Sequence, residues 1–174
     1  MSEQTTITTN ELLDGGLLGP ARTDTKVAPA RLLEYAPGKR LALSIHTTLE
    51  IVEDPEFFPV PGIAPHGLGL LNWQENWIAA VDLAMLLDGT PTPGADKPKY
   101  VLVLAFQRIP GTPLEYAAVV LPELPETVFV SDEFFCDLPS DNHLWPEISL
   151  SCFSHLGAAV PIVDTGKLFG RSYG

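Results

Sequence analysis

The sequence is short of positive charge and of cysteine. Its 174 residues include 10 Lys and Arg against 22 Asp and Glu, which gives a formal net charge of -12. A field of that sign repels phosphate backbones and anionic lipid surfaces, so we expect no nucleic-acid partner. The uncharged stretch 57–74 is interrupted by Pro and Gly, so we expect no direct insertion into a membrane. The two cysteines, Cys136 and Cys152, lack the close spacing of metal ligands, and we expect two free thiols.

Signals for export and for catalysis are also missing. The N-terminal segment MSEQTTITTNELLDGG has neither the basic start nor the apolar core of a signal peptide, which predicts a cytoplasmic protein. The sequence contains no nucleophile elbow and no phosphate-binding loop. The four histidines are scattered without the spacing of zinc ligands: His46, His66, His143 and His155. The sequence therefore predicts no catalytic residue, no metal and no cofactor.

The chain does contain many short apolar runs separated by Pro and Gly. With 45% hydrophobic residues and a mean hydropathy of +0.16, it can bury a core. The runs are typical of an all-β fold, because turn residues such as Pro37-Gly38 recur at strand-length intervals. The predicted strands are 31–35, 40–45, 49–52, 69–73, 77–81, 100–106, 115–121, 127–130, 148–153 and 158–163. The one predicted helix, 82–87, is capped by Asp82 and ended by Gly89.

The same patterns predict how the chain is divided. Residues 1–28 lack sustained periodicity and are predicted to be a flexible tail, and 171–174 form a second short tail. Residues 29–170 are predicted to be one domain with two subdomains. A Pro- and Gly-rich link near 88–98 is predicted to separate them, so that each half of the chain supplies about four strands. Segment 100–106 is apolar on both faces, which predicts a strand covered from outside by the other subdomain.

From Glu50 onward, several residues stand at spacings that match one family. Glu50 begins a stretch that ends in Pro-Val-Pro61, and Gly69, Asn72 and Asp82 follow. They resemble the EI…PVP, G-x-x-NLRG and PVVDL segments of the CheW-like family, with no gap between them. The likeness extends over residues 30–169 and is looser in the second half. It implies two small SH3-like five-stranded β-barrel subdomains with few short helices.

The resemblance also implies a role and partners. CheW-like proteins are non-enzymatic adaptors that couple the cytoplasmic tip of a methyl-accepting chemoreceptor to a CheA-like histidine kinase, in bacterial chemotaxis or type IV pilus twitching motility. A match to the family's interaction segments implies a receptor-binding set and a kinase-binding set. The receptor-binding residues are Thr48, Glu50 and Gln74. The kinase-binding residues are Pro61, Gly69 and Asn72.

Four of the singled-out residues also have a purely structural explanation. Trp73 and Trp77 are interface candidates, because aromatic side chains often anchor protein interfaces, and a place in the core is an equal alternative. For Gly69 and Asn72, turn geometry explains the residue as well as a contact does.

Two departures from the family pattern leave other hypotheses open. The NLRG segment reads Asn72-Trp73-Gln74-Glu75, so an amide replaces the arginine fork and Glu75 replaces the turn glycine. Asn76 tolerates left-handed backbone and is expected to take over the turn. The alternative function is a divergent binding module that has lost kinase coupling and senses a peptide or small molecule. A third hypothesis, a hydrolase that uses one of the histidines, has no motif behind it.

Overall fold

A computed structural model describes residues 26–171, whose regular structure consists of β-strands and a few short helices. The strands are β1 (Val27–Ala36), β2 (Lys39–Ser44), β3 (Thr48–Glu53), β4 (Phe57–Phe58), β5 (Gly67–Trp73), β6 (Asn76–Val81), β7 (Tyr100–Phe106), β8 (Glu115–Leu121), β9 (Glu126–Ser131), β10 (Ser149–His155) and β11 (Ala158–Val163). The helices are α1 (Leu83–Asp88), α2 (Trp145–Ile148) and α3 (Thr165–Gly170), and 3₁₀ turns cover Ile45–Thr47 and Asp132–Phe134. The all-β prediction is confirmed. Strand β4 and helices α2 and α3 were not predicted.

The strands form two sheets, and each sheet takes strands from distant parts of the chain. One has five strands in the order β10-β11-β2-β1-β9, and the other has six in the order β3-β7-β8-β6-β5-β4. The chain therefore passes between sheets after β2 and again after β8. The prediction that a link near 88–98 separates the two subdomains is wrong, because that segment leads from α1 to β7, and β6 and β7 lie in the same sheet. A run of Pro and Gly marks irregular backbone but carries no information on which strands pair afterwards.

The five-stranded sheet curls until its two edges meet. Its edge strands are β9 and β10, and an isolated antiparallel bridge from Phe135 to Phe153 joins the segment after β9 to β10. We call this contact, 135–136 against 152–153, the barrel seam. The small core inside it consists of Ala30, Leu32, Ala42, Phe153 and Val160.

Strand β7 is buried on both faces, as predicted. Leu102 and Leu104 point into a core between the two sheets, whereas Val101 and Val103 point into the core of the six-stranded sheet. The inter-sheet core also holds Leu33, Leu41 and Leu43 from the five-stranded sheet, Val119 from β8, and Trp145, Ile148 and Leu168 from the helices. Because residues of both sheets pack in this one core, the two sheets form a single body.

Each sheet contains one strand that is followed directly by an aspartate and then by a six-residue helix. β6 is followed by Asp82, which accepts a hydrogen bond from the Ala84 amide (3.1 Å) at the start of α1. β11 is followed by Asp164, which accepts one from the Gly166 amide (2.8 Å) at the start of α3. Both strands pair in parallel with another strand of their sheet, β6 with β8 and β11 with β2. The predicted cap at Asp82 is confirmed, and Gly89 ends α1 in the left-handed conformation.

The predicted tails lie mostly outside the described residues. Residues 1–25 and 172–174 are outside them, whereas Val27 and Ala28, assigned to the tail, belong to β1 and pair with β9. Arg171 forms an ion pair with Glu147. Within residues 26–171, no helix has the length and apolar character needed to cross a membrane.

Candidate protein-binding surfaces

The β5–β6 hairpin carries most of the residues that the sequence singles out. Its side chains alternate between the two faces of the sheet, so that Leu71 and Trp73 are buried while Asn72 is exposed. Across the hairpin, Leu71 lies opposite Ile78 and Asn72 lies opposite Trp77. One face of the hairpin thus completes the core of the six-stranded sheet, and the other presents Asn72 and Trp77 to solvent.

Trp73 belongs to the core. Only 9% of it is exposed, and it packs among Leu71, Ile78 and Val103 with its ring 5.3 Å from that of Tyr116. Its indole Nε1 donates a hydrogen bond to Glu50 Oε2 at 2.8 Å. Because a buried indole N–H needs an acceptor, Glu50 satisfies Trp73 and is itself held beside the hairpin.

Trp77 forms part of an exposed aromatic face. Its side chain is 52% exposed, and its ring meets that of Phe58, also 52% exposed, edge to face at 4.7 Å. Phe58 pairs with Leu70 across β4 and β5, and Leu70 pairs with Ala79 across β5 and β6. Strand alternation places Leu70 on the same side as Asn72. We call this surface the aromatic face; it comprises Phe58, Leu70, Asn72, Trp77 and Ala79.

Gly69 allows the aromatic face to exist. Its φ is +130°, and a Cβ built there would lie 2.3 Å from the carbonyl oxygen of Phe58. Any other residue would therefore push β4 away from β5. Pro61 lies in an exposed turn with Gly62, on the loop that returns the chain from β4 to β5. Of the predicted kinase-binding residues, Asn72 presents its side chain on the aromatic face and Gly69 supports it from within.

The tip of the hairpin is a two-residue turn of strained backbone. Gln74 and Glu75 both have positive φ, +48° and +65°, between the paired residues Trp73 and Asn76. Two consecutive positive φ values describe a type I′ turn, which normally uses Asn-Gly. The expectation that Asn76 takes over the turn is wrong: it lies in β6, and its side-chain amide donates to the carbonyl oxygen of Gln74 at 3.0 Å.

The predicted receptor-binding residues lie on β3 and at this tip. Glu50 is exposed and hydrogen-bonded to Trp73, which directly precedes Gln74. Thr48 begins β3, and its hydroxyl donates to the carbonyl oxygen of Ile45 at 2.9 Å. A register shift separates Thr48 from Glu50 in the pairing with β7. The fold thus brings Glu50 to the hairpin tip and leaves Thr48 at the start of β3, where the chain enters the six-stranded sheet.

An open groove of about 770 Å³ runs between the six-stranded sheet and the helices that flank β10 and β11. Its apolar surface comes from Leu49 and Leu114, both exposed, and from the buried Phe106. Helix α3 forms one wall. It is docked by Thr165, whose hydroxyl donates to the carbonyl oxygen of Ala105 at 3.2 Å.

Positive charge collects at this groove. Of the nine Lys and Arg within residues 26–171, three line it: Arg108, Lys167 and Arg171. Arg108 Nε lies 2.9 Å from both carboxylate oxygens of Glu115. The groove therefore combines an apolar floor with a rim of both charge signs in an otherwise acidic protein.

Neither surface resembles a metal centre. Among the described residues, no group of three or more His, Cys, Asp or Glu could hold a metal ion. Cys136 and Cys152 are free thiols. Sequence reasoning missed Phe58, although two adjacent phenylalanines directly before Pro59 were a signal for a short edge strand with one ring outward.

Comparison with known proteins agrees with this architecture. The family model of the CheW-like domain matches residues 32–169. The crystal structure of the scaffolding protein TtCheW from Thermoanaerobacter tengcongensis superposes with a TM-score of 0.64 at 14% identity, over 80% of this chain and 90% of that one. No curated protein sequence matches. Since the family match spans most of the chain and the fold agrees with it, this protein belongs to the family of CheW-like domains.

Proposed function

We propose that this protein is a non-enzymatic adaptor that couples chemoreceptors to a CheA-like histidine kinase, in bacterial chemotaxis or twitching motility. Membership of the CheW-like family supports a scaffold role. The observation that carries the proposal is the exposed pair formed by Trp77, on the hairpin whose residues match the family's motifs, and Phe58, on the adjoining strand β4. Two aromatic rings that already pack against each other lose little conformational entropy when a partner covers them. Burial of their apolar surface then stabilises the complex, as it does for interface anchors.

On the kinase side, we assign the aromatic face as the contact. Phe58, Leu70 and Trp77 offer apolar area, while Asn72 adds a hydrogen-bonding amide directly opposite Trp77. Pro61 extends the surface along the loop between β4 and β5. Strand β4 is only two residues long and lies at the edge of its sheet, so its outer side is open to another protein.

On the receptor side, we assign the hairpin tip and the groove. Glu50 and Gln74 supply polar contacts at the tip, and Thr48 lies where β3 starts. The groove accepts a receptor helix by its apolar face, with Leu49 and Leu114 against the helix. Arg108 and Lys167 on the rim favour acidic residues flanking that apolar face.

The kinase contact is tested by Trp77→Ala. We expect the variant to bind the regulatory domain of a partner CheA-like kinase at least about tenfold more weakly by calorimetry, because an interface aromatic is typically worth more than 1 kcal/mol. Phe129→Ala is the matched control, since Phe129 is 69% exposed on β9, in the other sheet. Equal affinities for the two variants would contradict the assignment. If the unaltered protein binds neither the kinase nor the receptor, the proposed coupling role is wrong.

The receptor contact is tested by Gln74→Arg, which restores the arginine of the family motif. We expect it to change the affinity for a receptor cytoplasmic fragment while leaving the melting temperature nearly unchanged, because Gln74 is exposed. Gln74→Lys is the control, since it adds the same charge without the bidentate fork. A shift in melting temperature with no change in affinity would refute the role of Gln74.

One observation favours the alternative, a sensor that has lost kinase coupling. A cavity of about 470 Å³ is lined by Tyr35, Pro91, Pro93 and Pro122. An apolar cavity of this size suits a small molecule or a short peptide. Saturable ligand binding by a protein that contacts no kinase would favour the sensor over the adaptor.

A further inference from the structure

The barrel seam brings the chain's two cysteines together. Phe135 and Phe153 are antiparallel partners, so the next residues along, Cys136 and Cys152, lie opposite each other. The Cys136 amide donates to the carbonyl oxygen of Cys152 at 3.1 Å. The two Sγ atoms are 3.5 Å apart.

This geometry is close to that of a disulfide. Directly opposed residues of an antiparallel pair have Cβ atoms about 4.5–5.5 Å apart, at and above the roughly 3.5–4.5 Å that a disulfide spans, so bond formation must draw the two strands slightly closer. The sulfurs must approach by about 1.5 Å to reach the S–S bond length of about 2.05 Å, which side-chain rotation with a small backbone adjustment supplies. The two thiols differ in access: Cys136 is half-buried, whereas Cys152 is 2% exposed.

We propose that Cys136 and Cys152 are an oxidation site, a dithiol that forms a reversible disulfide and so locks the barrel seam. The seam is where the five-stranded sheet closes, and the isolated Phe135–Phe153 bridge there includes the hydrogen bond from the Cys136 amide to the Cys152 carbonyl oxygen. A disulfide would add a covalent bond to this hydrogen-bonded closure. The inference does not depend on the proposed function.

The chemistry needs a two-electron oxidant, for which we name a hydroperoxide. The Cys136 sulfur attacks one peroxide oxygen, the O–O bond breaks, and the departing alkoxide takes the thiol proton, leaving a sulfenic acid on Cys136. The Cys152 sulfur then attacks the Cys136 sulfur, the S–O bond breaks, and the hydroxide leaves as water with the Cys152 proton. Two thiols and one hydroperoxide thus give one disulfide, one alcohol and one water.

The order of these steps follows from the surroundings of the thiols. Burial, and next the hydrogen bond with Cys136, raise the pKa of Cys152 to about 12. Cys152 is therefore protonated at neutral pH and slow to react with a reagent from solvent. The more accessible Cys136 meets the oxidant first, and Cys152 resolves the sulfenic acid from 3.5 Å away.

The disulfide would also restrain a segment that contributes to the inter-sheet core. The cysteines are 16 positions apart, and the loop between them contains α2. Trp145 and Ile148 of α2 are fully buried in the inter-sheet core. Closing a loop of this length restricts the unfolded chain, so the oxidised protein should resist unfolding better than the reduced one.

The test uses the full-length chain, in which these are the only cysteines. We expect hydrogen peroxide to remove both free thiols, to lower the intact mass by two hydrogen atoms, and to form no disulfide between chains. Peptide mapping should show the Cys136–Cys152 link. Dithiothreitol should restore both thiols. The melting temperature should rise on oxidation by about 5–10 °C.

Cys136→Ser and Cys152→Ala are the control variants, and neither should gain thermal stability from peroxide. If Cys152→Ala fails to fold, Cys136→Ser and the peptide map of the unaltered protein still test the proposal. Persistence of both thiols under peroxide, sulfinic acid at Cys136 without a disulfide, or disulfide-linked dimers as the main product would each overturn the proposal.

Discussion

At the scale of single residues, backbone conformation at β4 and β5 decides whether the aromatic face can form. We expect Gly69→Ala to lower the free energy of unfolding by about 2–4 kcal/mol, because the new Cβ meets the Phe58 carbonyl oxygen and the residue keeps a positive φ. Urea denaturation measures the change. The same variant should weaken kinase binding, since Phe58 would move.

Gly111→Ala is the matched control for Gly69. Gly111 also has a positive φ, +86°, but a Cβ there meets nothing within 4 Å. We expect it to cost only about 1 kcal/mol, the conformational penalty alone. Equal losses for the two variants would mean that close approach of β4 contributes nothing.

The strained turn at the hairpin tip gives a second prediction for single residues. Replacing Gln74-Glu75 by Asn-Gly should raise the free energy of unfolding by about 1–2 kcal/mol, because both residues then tolerate the positive φ of a type I′ turn. Thermal and urea unfolding measure it. The exchange Gln74→Asn alone should give part of the gain. A loss of stability would show that the side chain of Gln74 or Glu75 makes a stabilising contact outweighing the strain.

At the scale of elements, the two strand–aspartate–helix units look alike but differ in what the aspartate holds. Asp82 is 2% exposed and accepts bonds from the amides of Ala84 and Met85 and from both the amide and the hydroxyl of Thr92, the last two at 2.7 Å. Asp164 accepts bonds from the amides of Gly166 and Lys167 at its helix start.

We therefore expect Asp82→Ala to be the more damaging of the two cap variants. It should lower the free energy of unfolding by about 3–5 kcal/mol, because the buried Ala84 amide and the half-buried donors of Met85 and Thr92 lose their acceptor. Asp164→Ala should cost about 1 kcal/mol, the usual value of a helix cap. Chemical denaturation of both variants measures the difference, and equal effects would contradict a special role of Asp82 in holding the segment around Thr92.

At the scale of the whole molecule, the chain crosses between the sheets twice, so neither half contains a complete sheet. Cutting within the 88–98 segment leaves β1 and β2 without β9 and β11, and β6 without β8. We expect fragments 1–96 and 97–174 to be unfolded alone by circular dichroism and to regain strand signal when mixed.

The control is the intact chain cleaved at the same place after folding, through a protease site inserted in the segment. It should stay folded, because the inter-sheet core holds Leu33 of β1 against Leu104 of β7 without the covalent link. A fragment that folds alone would contradict the interleaved topology.

How much of the fold the sequence predicts depends on whether the residues that determine a feature are close together in the chain. The strands at 100–106, 115–121 and 158–163 were predicted to the residue, because runs of apolar β-branched residues between turn signals determine them locally. Which strands pair with each other leaves no such local signal in the sequence. That is why the predicted division near 88–98 failed while the strands on either side of it were correct.

The sequence by itself determined every strand but β4, the capped turn at Asp82, the family and its motif residues, since spacing and turn chemistry are local. Only the tertiary structure decided that Trp73 is buried while Trp77 is exposed, because strand alternation acquires an inside and an outside only once a core exists. It alone placed Phe58 beside Trp77 and Cys136 beside Cys152. Those contacts join strands whose register is set by the packing of the whole molecule.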